Sequence, residues 1–150
     1  MAMYKHILAP TDGSRRSRKA IRAAARLART LGARITAIYV VPEGVPTLFS
    51  GEKLFGSGVL GREYKELIRS QAEKVLAVAE GEAKTAGVAF SSVRPVAREP
   101  WQAIIRAARS RHCDLIVMAS HGRSGLRALA LGSETTKVLA HSKIPVLVCR

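Results

Sequence analysis

The feature that most constrains this chain is a set of short, β-branched segments that are apolar on consecutive residues rather than on alternate ones. "YKHILAP" (residues 4–10), "RITAIYVV" (34–41) and "DLIVMAS" (114–120) show it most clearly. A strand with one face in water alternates apolar and polar side chains. A run without alternation demands cover on both faces, as in a parallel sheet held between helical layers. "VAFSSVRPV" (88–96) and "IPVLVC" (144–149) complete five expected strands.

Helical periods fill the intervals. After Ser14, an N-cap residue, Ala20, Ile21, Ala24, Leu27, Ala28 and Leu31 form an apolar stripe that Gly32 brings to a stop. Arg15, Arg18, Arg22, Arg26 and Arg29 lie on the other side, where long basic side chains are expected to form a solvated face. A second helix is predicted from about Arg62 to Ala86, ended by Gly87; a third begins at Pro100, and a fourth begins near Ser133 and ends before Ile144-Pro145. The resulting β-α-β-α-β-α-β-α-β string predicts an α/β fold: a single domain over residues 1–150, with a doubly wound, five-stranded parallel sheet and helices on both faces, Rossmann-like in architecture. Residues 42–61, with five glycines and two prolines, fit neither period and are expected to form a loop or lid.

The formal charge is +14, and its placement matters more than its size. Residues 1–34 carry nine basic residues against one acid, residues 35–97 seven against seven, and residues 98–150 nine against three. Both ends of the chain are therefore basic, and if they meet in space they attract a phosphate-bearing ligand or a polyanion. A nucleic-acid partner is disfavoured by the absence of a recognisable reading motif and by an aromatic content of 5%. The apolar runs are too short to span a bilayer, so no membrane association is expected. The start, "MAMYKHILAPTDGS", lacks the apolar region of a secretory signal, which gives a cytoplasmic expectation. Cys113 and Cys149 have no metal-ligand spacing and read as small hydrophobes, and no metal site is expected in the protein itself.

In doubly wound sheets ligands bind beyond the carboxyl ends of the strands, where the strand order reverses. Two motifs fall there. "APTDGS" (9–14) delivers Asp12 at the end of strand one, where a carboxylate can receive a ribose hydroxyl pair or serve as an ordinary turn acid. "ASHGRSGLRALALGSE" (119–134) follows strand four and places two glycine turns before a helix, an arrangement able to aim backbone N–H groups at an anion. Neither GxxxxGK[ST] nor a GxGxxG after strand one is present, which removes the main support for a P-loop NTPase or a dinucleotide-dependent dehydrogenase.

On these residues the chain resembles the universal stress proteins, over essentially its whole length. The matching pieces are "ILAPTDGS", "IYVVPE", "DLIVMASHGRSGL", "LGSETTKVL" and "SKIPVLVCR". The family's nucleotide motif reads here as Ala119, two residues, Gly122, nine residues, Gly132-Ser133, departing only at Ala119, where the family has glycine. If that position needs positive φ or very close ligand approach, a methyl is costly; if it merely ends a strand in extended conformation, Ala serves almost as well. The resemblance implies a Rossmann-like fold of the adenine nucleotide alpha hydrolase type and a site for ATP, or alternatively AMP, with Mg2+ or Mn2+ carried by the nucleotide. It places Asp12 on the ribose and the main chain of Val40 on the adenine edge. Pro10, Thr11 and Met118 line the base and sugar pocket, and Ala119 lies in the ribose region. Gly122, Gly132, Ser133 and the N–H of Glu134 are the phosphate contacts, with Arg123 a further candidate. It also implies a homodimer formed through the last strand, Pro145 to Cys149.

His121 has no acid in its motif to orient it and no preceding nucleophile, so it reads as a loop histidine that packs or hydrogen-bonds near the phosphates rather than as a catalytic group. No base or water-orienting group for rapid turnover is identified. The expectation is a nucleotide-binding regulatory module of the stress response with no catalytic residues and at most weak ATP hydrolysis. The alternatives are a family member that does not bind ATP and acts through protein or nucleic-acid contacts, and a small enzyme acting on a nucleotide-like substrate.

Overall fold

The computed structural model describes residues 2–44, 59–122 and 130–150. Five parallel strands form one sheet in the order β4-β2-β1-β6-β7: β1 (His6–Pro10), β2 (Arg34–Ile38), β4 (Phe90–Val93), β6 (Leu115–Ala119) and β7 (Val146–Cys149). The order reverses at β1, which pairs with β2 on one side and β6 on the other. Helices α1 (Arg15–Leu31) and α2 (Val59–Ala86) cover one face, and α3 (Pro100–Ser110) and α4 (Ser133–His141) cover the other.

The consecutive apolar residues serve both faces. Along β1, Ile7 and Ala9 face α1 and α2 while Leu8 faces α3 and α4; along β6, Leu115 and Val117 face the first pair and Ile116 and Met118 the second. Ile7, Leu8, Ile116 and Val117 are fully buried, and each such side chain contributes about 1.5–3 kcal/mol of transfer free energy.

Two expected strands are shorter than their apolar runs. The run 34–41 leaves the five-stranded sheet after Ile38, and the run 88–96 leaves it after Val93; the chain then forms a separate pair of parallel strands, β3 (Val41–Pro42) and β5 (Val96–Ala97). Pro95 has no amide to donate into the ladder, yet its carbonyl accepts from Val41 N–H at 2.8 Å, so pairing resumes beyond it in the same register. Helix α2 begins three residues before the expected Arg62 and runs through Gly61.

Ser14 caps α1 by accepting from Ser17 N–H, and Gly32 closes it at φ 65° with Ala33 N–H on the Ala28 carbonyl. Gly87 ends α2 in the same way, at φ 70°. The predicted basic stripe of α1 is exposed, with Arg22 reaching Glu82 of α2 at 3.0 Å. Among the described residues no helix is long and apolar enough to cross a membrane. Cys113 is buried, and burial pushes its thiol up to about 11; burial also raises Cys149. Both thiols are thereby disfavoured as nucleophiles at neutral pH.

Candidate nucleotide site

At the switch point between β1 and β6 the strands' carboxyl ends open onto a cavity of about 700 Å3, within the range of ordinary ligand pockets. From β1 and its turn come Pro10, Thr11 and Asp12; Val40 comes from the step between β2 and β3. The end of β6 adds Met118, Ala119 and Gly122, and the start of α4 adds Gly132, Ser133 and Glu134. Ten of the residues singled out in the sequence thus line one space. Arg123 lies outside the described residues, as do Arg127 and most of the glycine-rich stretch after Gly44.

The turn after β1 is fixed locally. Thr11 N–H continues the sheet by donating to the Ile38 carbonyl at 2.9 Å, and its buried hydroxyl meets Ser17 Oγ at 3.1 Å. Asp12 Oδ1 accepts from Ser14 N–H at 2.9 Å, and Gly13 takes φ 81°, so the carboxylate is held at the strand's end rather than sweeping through solvent.

The two motif glycines are required by close approach. A Cβ on Gly122 would stand 2.5 Å from Asp12 Oδ2, so the acid after β1 packs directly on the glycine after β6. A Cβ on Gly132 would stand 3.2 Å from both His121 Cα and the Ser120 carbonyl oxygen, to which Gly132 N–H donates at 2.7 Å. That bond folds the second glycine turn back onto the first. Ala119 has ordinary extended backbone as the last residue of β6, in register with Cys149, and its carbonyl accepts from Thr135 Oγ1 at 2.9 Å. The strand holds Ala119 in the extended conformation rather than at positive φ, so the methyl carries no backbone strain.

Helix α4 starts at Gly132, and among the described residues no side chain caps it. Its first-turn amides therefore face the cavity mouth with the positive end of the helix dipole behind them, the disposition suited to an anion. The opposite wall is apolar, built from Pro10, Ile38, Val40, Ile104 and Met118. One wall suits a flat base and the other a charged tail.

Two features were not read from the sequence. The Glu134 carboxylate accepts from Trp101 N–H at 2.8 Å, so it caps α3, whose own N-cap residue Glu99 makes no side-chain cap bond among the described residues. Lys137 bridges Glu99 at 3.5 Å and Glu134 at 3.7 Å, joining the starts of α3 and α4. His121, expected to pack or hydrogen-bond in the loop, is 6% exposed and lines the cavity with Nδ1 on Ser120 Oγ at 3.0 Å, and its buried Nε2 has no partner among the described residues. Glu134 stands three residues before Lys137, but nothing in a single chain signals that its partner is another helix's amide.

The family model for the universal stress protein family matches residues 3–150. The chain belongs to the universal stress protein family. Universal stress protein YxiE of Bacillus subtilis is 33% identical over 99% of this chain and 100% of its own length. Universal stress protein MJ0531 of Methanocaldococcus jannaschii is 32% identical over 99% of this chain and 83% of its own. Among solved structures, MJ0577 of M. jannaschii superposes with a TM-score of 0.78 at 26% identity, covering 97% of this chain and 95% of that one. Two more distant universal stress protein structures share the fold. One, in complex with cAMP, has TM-score 0.68 and 24% identity over 98% and 97% of the two chains; the other, from Archaeoglobus fulgidus in complex with dAMP, has TM-score 0.69 and 19% identity over 100% of both.

Proposed function

We propose that this universal stress protein is a regulatory adenine-nucleotide-binding module that takes ATP with Mg2+ or Mn2+, or AMP, in the cavity at the switch point. The observation that carries this reading is the convergence of Asp12, Gly122 and the uncapped start of α4 on one cavity with an apolar opposite wall. The adenine lies against Val40 and Met118, Asp12 receives the ribose hydroxyls, and Gly132, Ser133 and the Glu134 N–H hold phosphate. The metal ion neutralises phosphate charge. Family members in complex with cAMP and dAMP add support for a nucleotide. Chain 1–150 is read as one domain, acting in the cytoplasm.

Calorimetric titration with ATP and with AMP, each with magnesium, tests the reading. Saturable heat that Asp12→Ala weakens is expected; no heat with either nucleotide overturns it.

The working form is read as a homodimer through β7, a strand at the edge of the sheet whose Leu147 is 45% exposed. An apolar edge of this kind gains from pairing. Light scattering is expected to give twice the monomer mass for wild type and the monomer mass for Leu147→Lys; monomers for both reject the dimer.

A further inference from the structure

A second cavity, of about 540 Å3, opens at the other end of the sheet, where β1, β2 and β4 begin and α3 ends. It is lined by Arg34 and Arg111, the hydroxyl residues Ser91 and Ser110, His6, and the strand starts at Ile35, Ala89 and Phe90, whose apolar side chains at Ile35 and Phe90 pack into the core on the other face of the sheet. It shares no lining residue with the nucleotide cavity. Neither guanidinium is in an ion pair among the described residues. The neighbouring acid Asp114 is engaged by main chain: its two oxygens accept from Lys5 N–H at 2.9 Å and His6 N–H at 3.0 Å.

The back of the cavity is a buried hydrogen-bonded chain. His6 Nε2 meets Thr36 Oγ1 at 2.7 Å, and Thr36 Oγ1 meets Ser91 Oγ at 2.7 Å, so the orientation of a hydroxyl on the cavity wall is set from the core. His6 is 6% exposed, and its ring also meets the Arg111 main chain, which favours the protonated form. Burial and then the Arg34 charge hold its pKa below the ordinary imidazole range, with Arg111 acting in the same direction, against the opposing Arg111 backbone and Asp114. Both guanidiniums act on the same ring, which places them around one space. The end of α3 presents only a partial negative charge there, against two whole positive ones.

We propose that this cavity is a second binding site, for a small phosphate-bearing molecule. Two planar guanidiniums fit phosphate oxygens in bidentate fashion, and the serine hydroxyls complete the polar contacts. The site is independent of the nucleotide reading, since it is made of other residues at the opposite end of the sheet.

Phenyl phosphate is the probe, with inorganic phosphate as its comparison, titrated into the full chain and followed by two-dimensional NMR. Expected with either phosphate are saturable shifts at the amides of Ile35, Phe90, Ser91 and Arg111 and at the His6 ring. Arg34→Gln/Arg111→Gln weakens phenyl phosphate by about tenfold or more. Both arginines are exposed, so the double variant retains its fold, which its amide spectrum and melting curve verify. Shifts confined to Gly122 and Gly132, or undiminished affinity in the double variant, overturn the proposal.

Discussion

At the carboxyl end of the sheet the cavity is shaped largely by main chain: two glycines at packing distance, the uncapped start of a helix, and one aspartate pinned by its own turn. At the amino end the wall is side chain, with two guanidiniums, two hydroxyl residues and a buried imidazole contributed by segments from residue 6 to residue 111. A backbone site fails when atoms are added to it. A side-chain site fails when atoms or charge are removed. The two ends of one sheet should therefore respond to opposite kinds of substitution.

The largest contrast is expected from Gly122→Val. A Cβ there has no room beside Asp12 Oδ2, so either the acid or the β6 turn must move, and both belong to the proposed nucleotide cradle. Nucleotide affinity is expected to fall at least about 100-fold, about 2.7 kcal/mol, by calorimetry. Phenyl phosphate shifts at Ile35 and Phe90 should be unchanged. If both ligands respond equally, the two ends are not separate.

A smaller effect is expected where the carboxyl end is made from a side chain after all. Glu134→Ala removes the carboxylate that accepts from Trp101 N–H and leaves the start of α3 without its cap. By analogy with other N-terminal caps the loss is about 1 kcal/mol, measured as a shift in the denaturation midpoint at constant slope. Glu134→Gln, which keeps an acceptor, should recover part of it. No change in Glu134→Ala would mean that solvent satisfies that amide equally well.

These differences also govern what could be read before the structure. The five strands and the caps at Ser14, Gly32 and Gly87 follow from local rules, and the carboxyl-end residues apart from Val40 sit in two continuous stretches. Glycine spacing there marks where the backbone must come close. Arg34, Ser91 and Arg111 carry no such mark, because their juxtaposition depends on strand order and on where α3 stops. The break at Pro95 was hidden for a related reason: β propensity persists through the run while the missing amide interrupts the ladder before β3 and β5 resume it. The early start of α2 was masked by Gly61, whose low helix propensity is outweighed within a long helix packed against α1 and β4.

A smaller stability change is expected at the end of α3, beside the second cavity. Cys113 N–H donates to the Ala108 carbonyl at 2.8 Å, the same closing bond that Gly32 and Gly87 permit in α1 and α2, but here His112 holds the left-handed position at φ 54°. A side chain in that conformation costs about 1–2 kcal/mol, and the greater freedom of glycine in the unfolded chain offsets about half. His112→Gly should therefore stabilise by about 0.5–1 kcal/mol. A destabilised variant would show that the imidazole makes contacts worth more than the strain.

The last expected effect is absent at neutral pH and appears only on acidification. His6 is held neutral in the fold by burial and by Arg34 and Arg111, with Asp114 and the Arg111 backbone opposing, and its pKa lies below the ordinary 6.5. Below that value the unfolded chain takes up a proton that the folded chain refuses, so stability contributed by this group is complete above pH 6.5 and is lost as pH falls toward the depressed folded pKa. His6→Gln keeps a polar group able to meet Thr36 but cannot titrate, so its stability should change less than that of wild type between neutral and mildly acidic pH. Equal slopes would show that the His6 proton is not excluded. Phosphate at the second cavity should act against the depression, because an anion beside the two guanidiniums reduces the field they exert on the ring. Saturating phenyl phosphate is thus expected to raise the His6 pKa in NMR titration, an effect that disappears in Arg34→Gln/Arg111→Gln and has no counterpart at the backbone-built end.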